Sequence, residues 1–386
     1  MLRIVQVNAV YDAQLRTPDA LLDRYTTLTD WSTSLAGAGA NVSVVQRFST
    51  GATVVRDGIT YAFAKDDQPP WMSTDGAPAS VVDAVAGARP DVVHVNGLIF
   101  PALVGALRRA LPQPVAIVAQ HHGGEFPVRG SGPVGMWRRR KWRQGLAGAD
   151  ACSFTAADQA QAWRDAGVLG AQRVVEIVEA GTRIRPVARE RARAATGLSG
   201  TPLIIWVGRL TANKDPLTVI DGLDAALPRL PEARVAFVFG EQMPGDRVGE
   251  RIQSSAVLRD RVSMIGRVPH DEIANYYGAA DLFVSGSHAE GSGYALIEAM
   301  ACGLVPVVTD IPPFRIIAGD AGVFWPAGNA AACSAALIDA CARDPQAQRE
   351  KGRRQVADVL SWEAIGSRTL ATYRDLFDRR GAKANA

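Results

Sequence analysis

The densest chemistry in the chain lies in Ser287–Val307, SHAEGSGYALIEAMACGLVPV. Two carboxylates, Glu290 and Glu298, stand eight residues apart, the first in a turn and the second about two turns into the helix that Gly291-Ser292-Gly293 introduces. Glycines let a ligand approach the backbone closely, and the N–H groups at such a helix start, those around Tyr294 and Ala295, form with the helix dipole a site for phosphate oxygens. Carboxylates are poor partners for phosphate and good acceptors for sugar hydroxyls, so the chemical reading is a sugar nucleotide held at both ends. The plain alternative is a helix N-terminus with incidental acids. Val207-Gly208-Arg209-Leu210 closes a strand and is followed by Lys214-Asp215. Arg209 offers a bidentate fork and Lys214 a point charge, the two ways proteins neutralise a diphosphate. Alone, an Arg after a strand is a surface residue; paired with the acidic segment it reads as part of a site.

In the first half, Gln120-His121-His122-Gly123-Gly124-Glu125 follows the strand Val115–Val118. Loops at the carboxyl edge of a parallel sheet carry ligands, so His121 and His122 are both candidates, whereas His94, inside a strand, reads as packing. Trp137-Arg138-Arg139-Arg140-Lys141-Trp142-Arg143 is the single strong charge cluster. It is a solvated helix face, a peripheral contact of Arg138, Arg139, Arg140 and Lys141 with an anionic membrane surface, or a recruiting patch for an anionic acceptor.

Short Val/Ile-rich runs alternate with segments of helical period, which predicts parallel sheets flanked by helices. The expected strands are Arg3–Val7, Val42–Val45, Val92–Val95, Val115–Val118, Ala151–Phe154 and Val174–Val178, then Leu203–Val207, Val235–Phe239, Val262–Ile265, Asp281–Ser285 and Val305–Val308. Leu28, Trp31 and Leu35 form one helix face ending at Gly37, and Leu217, Ile220, Leu223 and Leu227 form another. The fold class is α/β: two Rossmann-like doubly wound domains, with a ligand held between the carboxyl ends of their strands. The expected division is 1–180 as the first domain, 181–199 as a hinge or linker, 200–361 as the second domain and 362–386 as a closing helix.

At 386 residues, with 42 Lys+Arg against 39 Asp+Glu, the net charge of +3 gives no electrostatic case for nucleic acid as a partner. No run of roughly 18 apolar residues spans a bilayer. The four cysteines fit no zinc, redox or disulfide spacing, which reads as reducing cytoplasm. The glycine fingerprint of dinucleotide-dependent oxidoreductases is missing.

The segment Ser287–Val307 resembles the E-x7-E signature of the retaining GT-B glycosyltransferases of the family 4-like group (glycosyl transferases group 1), with Ser287, Glu290, Gly291, Gly293, Glu298, Ala299, Gly303 and Pro306 matching. Gly208-Arg209-Leu210 and Lys214 resemble the GRL…K segment of that family, and Gly266-Arg267-Val268-Pro269 its base-holding loop, with Val268 as the contact. The resemblance implies a transferase that moves a sugar from a nucleotide-diphosphate donor to a glycan, lipid or small-molecule hydroxyl, with retention and without metal or other cofactor. Glu290 would hold hydroxyls of the transferred sugar, Glu298 the ribose, Arg209 and Lys214 the diphosphate; Gly208, Gly291, Ser292, Gly293, Tyr294 and Ala295 would line the donor. The family places a His near the transferred sugar, here His122 or alternatively His121. The closing helix from Trp362 resembles a segment that crosses back to the first domain. One departure is that no Gly precedes Gly37, so Val7-Asn8-Ala9-Val10-Tyr11 replaces the family's Gly-rich loop; Asn8 and Tyr11 are assigned to the acceptor side. The rivals are a sugar-nucleotide epimerase or phosphorylase on the same fold, an NAD-dependent oxidoreductase, and a non-catalytic sugar-binding protein.

Overall fold

The computed structural model describes residues 1–10, 12–66, 76–112, 114–123, 132–240 and 247–384. The chain forms two compact units: Met1–Glu179 with Trp362–Ala386, and Ala180–Ser361.

The first unit holds β1 (Arg3–Asn8), β2 (Asn41–Phe48), β3 (Ala52–Arg56), β4 (Ile59–Lys65), β5 (Val92–Val95), β6 (Ala116–Gln120), β7 (Ala151–Phe154) and β8 (Arg173–Glu176). They make one sheet in the order β3-β4-β2-β1-β5-β6-β7-β8, parallel throughout except for β3 against β4. The six strands expected here are present, with ends shifted by up to three residues. The β3–β4 hairpin was not expected. Its turn is Asp57-Gly58, both left-handed at φ 51° and 76°, the two-residue connection that matches the twist of paired strands. The helix Thr26–Gly37 ends at Gly37 and buries Leu28, Trp31 and Leu35. The helix Trp362–Ala384 belongs to this unit, and its Trp362, Ile365, Leu370, Tyr373 and Leu376 share a core with Ile4, Val42, Val44 and Val118.

The second unit holds β9 (Leu203–Gly208), β10 (Arg234–Phe239), β11 (Val262–Gly266), β12 (Leu282–Ser285), β13 (Val305–Thr309) and β14 (Val323–Trp325), ordered β11-β10-β9-β12-β13-β14 and parallel throughout. Strands covered on both faces read as unbroken apolar runs, as Leu203–Val207 does; Trp206 stacks on Phe237 with centroids 5.2 Å apart. The three-residue β14 was not expected. Residues 181–199, expected as a linker, are a folded part of this unit. They contain the helix Arg189–Thr196, stopped by left-handed Gly197, with Ala192 buried. The helix packs close to Ile273–Ala279, where a Cβ on Gly278 would meet the Val187 carbonyl at 2.7 Å.

Candidate functional site

In the second sheet β10 and β11 run to one side of β9, and β12 to β14 to the other. The chain reverses between β9 and β12, so the crevice at their carboxyl ends is where an open parallel sheet takes a ligand. Two loops meet there: Arg209–Asp215 after β9 and Gly286–Gly293 after β12. Asn213 joins them, its Nδ2 donating to the Ala289 carbonyl at 3.0 Å while its Oδ1 accepts from the Ala289 N–H at 3.1 Å. The His288 N–H donates to the Asn213 carbonyl at 2.8 Å. The His288 ring lies 3.0 Å from Asp215 Oδ2. Asp215 caps the helix Pro216–Ala226 from a left-handed conformation, φ 42°.

This frame sets the charged groups. Lys214 and Glu290 form an ion pair. Ser287 Oγ donates to Glu290 Oε1 at 2.8 Å, and the Ser287 carbonyl accepts from Thr309 Oγ1 at 2.6 Å, which ties the carboxylate to β13. Arg209 is exposed, just beyond Gly208 at the end of β9, and its guanidinium makes no hydrogen bond or ion pair among the described residues. It is a cation available to an anionic ligand.

Gly291-Ser292-Gly293 leads into the helix Tyr294–Ala301, and the cap residue Gly293 is left-handed at φ 64° with no side-chain cap. Only glycine adopts that conformation without strain. Tyr294 is exposed, Ala295 half-buried and Glu298 buried. Both oxygens of Glu298 are engaged: Oε2 accepts from Tyr277 OH at 3.2 Å, and Oε1 lies 3.0 Å from His270 Nε2. Burial raises the Glu298 carboxyl above its ordinary value, against the opposing pull of His270 and Tyr277. Tyr277 is fully buried, but His270 is exposed. His270 follows half-buried Val268 by two residues, so the loop after β11 reaches Glu298 through His270. Neither His270 nor Tyr277 was singled out in the sequence; the only signal was the nearness of His270 to Val268.

In the first unit, Gln120, His121 and His122 leave the carboxyl end of β6. His121 is buried against Phe154 and Trp163, with ring centroids 5.1 and 5.4 Å away, and burial pushes it down to about 4. His122 is the exposed one, and its Nδ1 pairs with the buried carboxylate of Glu179. Burial lowers His122, but the Glu179 charge and hydrogen bond outweigh it and hold the imidazole above its ordinary value. Glu179 was not singled out either. His94 is packing: wholly buried, 2.7 Å from Gln120 Oε1 and bonded to Tyr373 OH. Asn8, assigned to the acceptor side, is buried and its Nδ2 donates to Gln46 Oε1 at 2.6 Å, so its amide serves the fold. Tyr11, Gly124 and Glu125 lie outside the described residues. The helix Pro133–Leu146 buries Trp142 and Leu146 and exposes Arg138, Arg140 and Lys141 beside Val134, Met136 and Trp137.

Two doubly wound parallel domains, with a glycine-rich helix start at the switch point of the second, define a GT-B fold. Residues 188–355, nearly all of the second unit, match the family model described as glycosyl transferases group 1. The chain is 28% identical over 246 residues to the GDP-mannose:cellobiosyl-diphosphopolyprenol alpha-mannosyltransferase of Xanthomonas campestris, a match covering 63% of this chain and 61% of that enzyme. Among solved structures it is similar to sucrose-phosphate synthase from Thermosynechococcus elongatus, with a TM-score of 0.68 and 21% identity over 98% of this chain and 100% of the other. It is also similar to Anabaena HepE in complex with UDP, with a TM-score of 0.68 and 16% identity over 97% of this chain and 100% of the other.

Proposed function

We propose that the protein transfers a hexose from a nucleotide-diphosphate-sugar donor to an acceptor hydroxyl, with retention and without a metal ion. The observation that carries this reading is the gathering of Arg209, Lys214, Glu290 and Glu298 at one switch point, with the Arg209 guanidinium unpartnered among the described residues. As the sugar–phosphate bond breaks, negative charge grows on the leaving diphosphate. Arg209 and Lys214 stabilise it there, together with the helix start at Gly293, in the role a divalent cation plays elsewhere. Lys214 exchanges Glu290 for phosphate, which releases Glu290 to accept from hydroxyls of the transferred sugar. Glu298 accepts from the ribose. In this reading Val268 contacts the base, and His122 orients the sugar or the incoming hydroxyl. The mannosyltransferase relative supports GDP-mannose, and the HepE complex with UDP-glucose a UDP-sugar, as donors to try first.

Calorimetric titration with UDP, GDP, ADP, TDP and NAD, each with and without magnesium, tests the reading. Preference for one nucleoside diphosphate, unaffected by magnesium, is expected; binding of NAD alone overturns it. Product analysis with the identified donor separates transfer from epimerisation and phosphorolysis.

A lipid-type acceptor on an anionic membrane, met by a cytoplasmic enzyme, is the acceptor reading favoured by the helix Pro133–Leu146. Its Val134, Met136 and Trp137 are 70%, 60% and 61% exposed, and Lys141 lies 5.4 Å from the Trp137 ring centroid. Apolar and indole groups ringed by cations suit the headgroup region. Co-sedimentation with phosphatidylglycerol but not phosphatidylcholine vesicles, lost in an Arg138→Glu/Arg140→Glu variant, is expected; equal sedimentation of both proteins removes this contact.

A further inference from the structure

We propose that Glu179 is a positioning residue for the site histidine: it holds His122 with Nδ1 turned into the first unit and Nε2 turned outward. The Glu179 side chain is 2% exposed and the His122 side chain 42%, so the pair runs from the interior to the surface with its acid end inside. A carboxylate removed from water needs a charged or donating partner. Nδ1 of His122 is one such partner, and among the described residues this leaves Nε2 as the ring nitrogen to act on a ligand. The arrangement sets the tautomer by the hydrogen bond made at the other nitrogen.

The other titratable groups acting on His122 are its neighbour His121 and, from β5, His94. Burial pushes both down to about 4, so they are neutral at physiological pH and add no opposing charge. Glu179 therefore dominates the field at His122. Nδ1–H to Glu179 stays in place whether the ring is neutral or cationic, and Nε2 changes from acceptor to donor as it gains a proton. In sequence the pair is 57 residues apart, and no motif links its members.

This inference rests on the proposed role of His122 in orienting the sugar or the incoming hydroxyl, and two measurements keep the two claims separate. The chain has five histidines, few enough to assign in the ¹⁵N-labelled full-length protein, with His122→Gln identifying the resonance. His122 is expected to titrate above the ordinary histidine value with its proton on Nδ1 in the neutral form. In Glu179→Gln the midpoint is expected to fall, because the neighbouring carboxylate charge that raises it is gone. A wild-type His122 protonated on Nε2, or a midpoint unchanged by Glu179→Gln, overturns the proposal; the wild-type measurement suffices even where the variant fails to fold. The second readout is hydrolysis of GDP-mannose and UDP-glucose without acceptor. Glu179→Gln is expected to lower kcat on the order of tenfold or more with donor KM unchanged, the falling limb of its pH profile moving to lower pH, and Glu179→Asp to recover part of the loss. Equal kcat in wild type and Glu179→Gln refutes the positioning role. A wild type that hydrolyses neither donor counts against the transferase reading and leaves the titration result standing.

Discussion

Gly286 lies where the loop after β12 passes the loop after β9, and replacing it with alanine tests whether that passage sets the site. A Cβ there would lie 2.8 Å from Val219 Cγ2, 2.9 Å from the Asp215 carbonyl oxygen and 3.3 Å from that of Lys214. The valine methyl is a side-chain tip and can yield. The carbonyls are backbone, so residues 213–215 must shift. Overpacking of this kind costs about 1–3 kcal/mol, and at ~2–4 °C per kcal/mol for a unit of this size Tm should drop by roughly 2–12 °C. The same shift pulls Asn213 from Ala289 and Lys214 from Glu290, so affinity for the preferred nucleoside diphosphate should fall about tenfold for every ~1.4 kcal/mol by which binding is weakened. Differential scanning fluorimetry and calorimetry on the full chain read both effects. Gly352→Ala is the control: Gly352 is helical with nothing within 4 Å of an added Cβ, and alanine there should be neutral or stabilise by about 0.5–1 kcal/mol. Wild-type melting and binding in Gly286→Ala would refute the close passage of the two loops. Lower melting with unchanged binding would refute its role in placing Lys214.

Asn213→Ala removes both exposed hydrogen bonds to Ala289 and should lower stability by only ~0.5–1.5 kcal/mol while weakening nucleoside diphosphate binding measurably; unchanged calorimetric affinity argues against the clamp. Tyr277→Phe deprives Glu298 Oε2 of its buried donor and should cost about 1–3 kcal/mol in chemical denaturation, with weaker ribonucleotide binding; a variant indistinguishable from wild type in both would detach Tyr277 from the site. His94 and His121 are held by burial at about 4, below the ordinary 6.5. The unfolded chain therefore takes up their protons first, so the stability they contribute is complete above pH 6.5 and lost as pH falls toward 4, on the order of 3 kcal/mol each. Denaturation midpoints at pH 7.5 and 4.5 should differ less in His94→Gln than in wild type, and an equal difference would show that His94 does not carry the loss.

The eleven expected strands are all present; most are covered on both faces and so must be apolar throughout, a signal that survives without tertiary information. The β3–β4 hairpin was missed although Asp57-Gly58 announces it, and so was the helix Arg189–Thr196, whose arginines and glutamate read as a charged linker. Gly197 was its stop signal. Glu290 and Glu298 were legible because both lie on one short loop-and-helix segment, and Arg209 and Lys214 because they follow a strand. Their partners were not legible. Asn213 meets Ala289 across 76 residues, and Tyr277 meets Glu298 across 21; such pairs exist only once the sheet has set strand order. Asn8 illustrates the converse: its position at a strand's carboxyl end was legible, but the Gln46 that engages its amide lies on β2.

The first unit is built from segments that lie on either side of the second in chain order. Its sheet is specified by residues up to Glu176, yet the helix that supplies Tyr373 to His94 begins only at Trp362. During synthesis, Ala180–Ser361 is complete before that helix emerges, so the unit begun first is the one finished last. Until then the apolar faces of Ile4, Val42 and Val118 lack part of their cover, and they are the surfaces a nascent chain must keep from aggregating. The same topology gives the mature protein two covalent crossings between units, at Glu179–Ala180 and Ser361–Trp362, so a protease that severs either one leaves the halves still joined by the other.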